Sequence, residues 1–87
     1  MEDLQELYAT AKDEFEMAAE ETEKKTVYAP EDREAAREAL KLLKDTYEKS
    51  LKLSSPQIAE EIRGRVSQRI RELDNANTAL EESAMEG

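Results

Sequence analysis

Cysteine, histidine and tryptophan are missing from this chain, and glycine and proline occur only twice each. Without cysteine there is no disulfide and no thiol nucleophile. Without histidine there is no imidazole base and no ordinary zinc or haem ligand set. The chain therefore reads as a non-enzyme with no cofactor and no metal. The scarcity of glycine and proline leaves little to start hairpin turns, so long helices are expected. No apolar stretch approaches the roughly 20 residues that span a bilayer. The segment MEDLQEL is acidic where a secretory signal is basic and then apolar. A soluble, intracellular and cytoplasmic protein is expected.

What the chain has in abundance is charge. Charged residues make up 40% of its 87 positions, with a net charge of −9. Such a surface repels phosphate backbones and anionic lipid heads, so a protein or peptide is the expected partner rather than nucleic acid or membrane. At this length one domain is expected, residues 1–87, with a small core.

The apolar positions Leu4, Tyr8, Ala11, Phe15, Ala18 and Thr22 alternate in steps of four and three and predict a first helix over about 3–25. Its other faces carry nine acids, Glu2 and Asp3 among them, against three lysines. TVYAP (26–30) interrupts the pattern, because the residue before a proline disfavours helix and the proline itself suits a first helical turn. A second helix over about 30–53 follows. It carries one stripe of Ala36, Leu40, Leu43, Tyr47 and Leu51, and beside it another of Ala35, Ala39, Leu42, Thr46 and Leu53. The doubled stripe predicts a helix that touches neighbours on two sides. Ser55 as N-cap and Pro56 at the first turn open a third helix over about 56–82, with Ile58, Ile62, Val66, Ile70, Leu73, either Ala76 or Asn77, and Leu80 on its stripe and a frayed tail over 83–87. The fold class predicted is all-α, an antiparallel up-down-up three-helix bundle, monomeric, about 35 Å long at 1.5 Å per residue.

IRGRVSQRIRELD (62–74) concentrates four of the six arginines. Arg65 and Arg69 share a helical face, while Arg63 and Arg71 do not join them. They either balance Glu61 and acids of the first helix, or receive an acidic partner through bidentate bonds. Gly64, inside this helix, is either tolerated on an exposed face or leaves room for a neighbour. Tyr28 reads as a cap on the end of the bundle. Acid clusters such as Glu20, Glu21 and Glu23 read as a solvated face.

EALKLLKDTYE (38–48) with IRGRVSQRIREL (62–73) resembles the second and third helices of MIT modules, three-helix adaptors of endosomal sorting and of microtubule-associated ATPases. The resemblance implies that a helical peptide docks between helices two and three, near Leu43, Tyr47, Val66, Ile70 and Leu73. TYEKSLKL (46–53) with VSQRIRELD (66–74) is similar to the long helices of BAG domains, regulators of the ATP-dependent heat-shock chaperone. That likeness implies a chaperone contact at Glu48. The function expected is a protein-interaction module whose partner-binding residues are Leu43, Tyr47, Glu48, Arg65, Val66, Arg69, Ile70 and Leu73. The alternatives are a BAG-like chaperone regulator and a coiled-coil subunit of a larger complex.

Overall fold

Three helices account for nearly all of residues 4–86, which are the residues described by the computed structural model: α1 (Leu4–Lys24), α2 (Ala29–Leu53) and α3 (Pro56–Glu86). The all-α three-helix bundle is the observed fold. Asp3, at the expected start of α1, and Gly87, at the end of the expected tail, lie outside the described residues.

The turns follow from local chemistry. At the end of α1 the amide of Thr26 donates to Glu21 O and that of Lys25 to Thr22 O, both at 3.1 Å, which is a Schellman closure. It requires a left-handed residue just past the helix, and Lys25 supplies it with φ 57° where glycine is usual. The Thr26 hydroxyl adds a hydrogen bond to the Glu21 carboxylate. Arg33 of α2 then donates to Thr22 Oγ1 at 3.0 Å and ties the start of α2 to the end of α1. α2 begins at Ala29, one residue before the expected Pro30, because Ala29 is buried and its amide reaches Thr26 O at 3.3 Å. Tyr28 is not a cap on the bundle: it is 63% exposed. Ser55 does open α3, accepting the amide of Ala59 at 2.8 Å on its carbonyl and that of Ile58 at 3.5 Å on its hydroxyl.

α3 continues to Glu86, beyond the expected boundary near residue 82, because Leu80 and Ala84 carry its half-buried face onward. The core is Ala11 of α1, Leu40 and Leu43 of α2, and Ile70 and Leu73 of α3, with Leu4, Leu7, Tyr8, Phe15, Ala39, Tyr47 and Val66 packed against it. Among the described residues Leu43 is the only large side chain buried completely. This is a thin core, as the length requires.

α2 is the central helix. Lys44 Nζ meets Asp74 Oδ2 at 2.9 Å, and Arg37 Nη1 meets Glu81 Oε1 at 3.1 Å. The α2 partner moves back seven residues while the α3 partner moves forward seven, so the two helices run antiparallel in constant register over two turns. Arg33 on Thr22 sets α1 antiparallel to α2 as well. α1 packs along most of α2, whereas α1 and α3 touch each other least. The backbone accordingly extends 46 × 22 × 14 Å, a flattened layer rather than a round bundle, and its radius of gyration of 14.3 Å exceeds the roughly 12 Å of a compact chain this long.

Candidate partner-binding surface

The expected groove between α2 and α3 is occupied by the protein's own core. Leu43 is fully buried, and Ile70 and Leu73 are each 6% exposed, within one cluster. Tyr47 and Val66 are half-buried against that cluster. Glu48, Arg65 and Arg69 are exposed. The structure thus brings Leu43, Ile70 and Leu73 together as packing, and the ion pairs Lys44–Asp74 and Arg37–Glu81 lie across the same helix pair. A peptide reaching those three leucine and isoleucine side chains would first have to separate α2 from α3.

An opening lies instead between α1 and α3. At one end Tyr8 and Gln5 of α1 and Val66 and Arg69 of α3 line a cavity of about 350 Å³. At the other end a cavity of about 510 Å³ is bounded by Ala19 and Thr22 of α1, Ala29 and Arg33 of α2, and Leu80 and Ala84 of α3. Its walls are mostly small or half-buried residues, so the surface between the two helices is concave. Of the residues that form it, Val66 and Arg69 belong to the expected set, whereas Tyr8, Ala19, Leu80 and Ala84 were absent from it. Their signal was the alanine content of α1, where Ala11 and Ala18 are fully buried. Small side chains there bring α1 close to α2 and leave less side-chain volume to span toward α3.

Charge divides along the same lines. Among the described residues the ion pairs are Lys44–Asp74, Arg37–Glu81 and the exposed Glu20–Lys24 pair at 2.9 Å. Lys24 donates to the Glu20 carboxylate, which holds that carboxyl below its ordinary range and raises the lysine. None of Arg63, Arg65, Arg69 and Arg71 forms an ion pair among the described residues, and all four are exposed. Among the described residues the neutralisation by Glu61 and α1 acids that the sequence allowed is not found. Gly64 between them faces open space, with nothing within 4 Å of where a Cβ would stand, so no neighbour within the chain makes use of the missing side chain.

Among the described residues one buried side-chain polar atom has no hydrogen-bond partner: Asn77 Nδ2 on α3, in a side chain 7% exposed. No group of three or more acidic side chains is placed to hold a metal ion among the described residues, and none of their helices is long and apolar enough to cross a membrane.

No curated protein and no solved structure matches the chain. The family model of the embryogenesis-like protein helical domain matches residues 1–82. That span includes both stretches on which the MIT and BAG likenesses rested, and it corrects them. Those likenesses drew on a few apolar and charged positions at helical spacing, a pattern that any amphipathic helix in a bundle produces. Extending over all three helices, the match shows that the chain belongs to the family of the embryogenesis-like protein helical domain.

Proposed function

We propose that this chain is a non-enzymatic, monomeric protein-interaction module, and that its docking surface is the concave face between α1 and α3. The observation that carries the reading is the sparse contact between those two helices, which leaves cavities of about 350 and 510 Å³ along one face of a layer only three helices wide. Helical layers bury such faces against another element, and a helix laid into the gap would complete a four-helix packing. The absence of histidine and cysteine supports a binding role over a catalytic one.

The test is photo-crosslinking in the cells that make the protein. A photoreactive amino acid replaces Ser83, on the rim of the gap, or Lys41, on the exposed side of α2. Adducts with one discrete protein from position 83 and none from position 41 are expected. Equal labelling from both positions, or none from position 83, would count against the reading.

A further inference from the structure

The unpaired arginines divide by position. Arg69 lines the smaller cavity with Gln5, Tyr8 and Val66, and Arg65, one turn earlier, lies on the same flank of α3. On the facing helix Lys12 stands one turn after Tyr8; it is exposed and likewise forms no ion pair among the described residues. Cations therefore rim this end of the gap from both sides, over a floor that includes the half-buried Tyr8 and Val66. This happens in a protein of net charge −9, in which the two cations that bridge α2 to α3, Arg37 and Lys44, are matched to acids of the bundle. Arg63 and Arg71, each two residues from one of the pair, turn well away from the gap.

We propose that the gap between α1 and α3 receives an acidic amphipathic helix of another protein, its apolar face over Tyr8 and Val66 and its carboxylates on Lys12, Arg65 and Arg69. This rests on the docking reading above and names the class of partner. A guanidinium offers a carboxylate two parallel hydrogen bonds, and a shallow apolar floor between charged rims fits the helix-in-groove mode. From Gln5 to Thr22 the gap runs about 25 Å at 1.5 Å per residue, the length of a helix of about 17 residues. A second copy docked gap to gap with its helices parallel would set Lys12, Arg65 and Arg69 against the same cations, and like charges face to face oppose that arrangement; an antiparallel copy is an outcome that the test below reads.

The test uses two labelled synthetic peptides of about 18 residues, the length that spans the gap. Both carry leucines at helical spacing; one has glutamates flanking the apolar face and the other lysines. Fluorescence anisotropy gives each affinity for the full chain at low and moderate salt, with circular dichroism as the folding control. The glutamate peptide should bind at least about tenfold more tightly than the lysine peptide, with affinity falling as salt rises. The double variant Arg65→Gln with Arg69→Gln should lose about tenfold or more for the glutamate peptide, whereas Arg63→Gln with Arg71→Gln should stay within about threefold. Equal affinities, a preference for the lysine peptide, no binding of either, or no loss in the first double variant would overturn the proposal. So would a dimer of the protein alone, seen by sedimentation, that the same double variant disperses, since that would give the gap to a second copy. Crosslinking from position 83 remains an independent measure, so a failed charge preference leaves the docking reading standing.

Discussion

Lys44 of α2 and Asp74 of α3 meet at 2.9 Å directly after Leu43 and Leu73 in their helices, so the ion pair lies beside two of the most buried contacts of the core. The bridge and the core enforce the same register, but they differ greatly in strength. Both charged side chains are about two-fifths exposed. In that setting the attraction is offset by hydration and by the entropy of holding two flexible side chains. A double-mutant cycle with Lys44→Ala and Asp74→Ala should return a coupling of at most about 1 kcal/mol. It should shrink further at high salt. A coupling that is large and salt-independent would mean that the pair is shielded from water.

Leu43 is expected to behave quite differently. It is fully buried among side chains from all three helices, and Leu43→Ala should cost about 2–5 kcal/mol, as should Ile70→Ala, by lost burial and residual cavity. Arg71→Ala, on an exposed face with no ion pair among the described residues, should cost within about 0.5 kcal/mol. Urea unfolding of the three variants checks the order, and similar losses for all three would show that the core is misplaced. Since a domain of this size has little stability to lose, Leu43→Ala should be close to unfolded at body temperature.

The contrast between these sites shows what the sequence could and could not express. Periodicity identified Leu43, Ile70 and Leu73 as inward-facing, and Ser55-Pro56 as the start of α3, because both are properties of one helix or one turn. The same periodicity could not say which neighbour each inward face meets. It therefore placed a binding groove on residues that α2 and α3 consume in packing against each other. The gap between α1 and α3 depends on the relative volumes of three stripes and on the flattened shape of the layer, which appear only when the helices are assembled. The exposed arginines were visible from the start. That they form no ion pair among the described residues was not, because pairing depends on side-chain positions across helices.

The turn after α1 offers a gain in stability. Lys25 holds φ at 57°, a region that a side chain disfavours and glycine accepts freely. No glycine stands there, so the end of the helix was legible only from TVYAP beyond it. Lys25→Gly should stabilise the fold by about 0.5–1 kcal/mol, the relief of backbone strain being partly offset by a more flexible unfolded chain. Thermal unfolding followed by circular dichroism would read the gain as a higher midpoint. A lower midpoint would mean that the lysine side chain is needed at the turn.

Gly64 offers a comparable gain for the opposite reason. It sits within α3, facing open space, where an alanine would meet nothing. Gly64→Ala should raise stability by about 0.5–1 kcal/mol through helix propensity alone. Because Gly64 precedes Arg65 by one residue, it turns away from the flank on which Arg65 and Arg69 lie. Affinity for the glutamate peptide should therefore be unchanged. Reduced affinity with increased stability would place a second contact on the outer face of α3.

Asn77 presents a polar defect of the interior. Its Nδ2 is buried without an acceptor, a cost on the order of 1–3 kcal/mol for a buried donor left unsatisfied. Its neighbours along the α3 stripe are Leu73 and Leu80. Leucine has the same branching and number of side-chain heavy atoms as asparagine and no donor to strand, so Asn77→Leu should raise the unfolding free energy by about 1 kcal/mol where the core admits its larger methyl groups. What the asparagine does in exchange is suggested by helical assemblies in which one buried asparagine holds register against alternatives that an all-apolar seam would tolerate. In Asn77→Leu, α3 would then be freer to slide along α2 or to pair with a second chain. The check is denaturant unfolding together with sedimentation and an amide NMR spectrum. Higher stability with a sharp, monomeric spectrum would show that the asparagine plays no part in register. Higher stability with line broadening or dimers would show that it does, and lower stability would mean that Asn77 has a partner in solution.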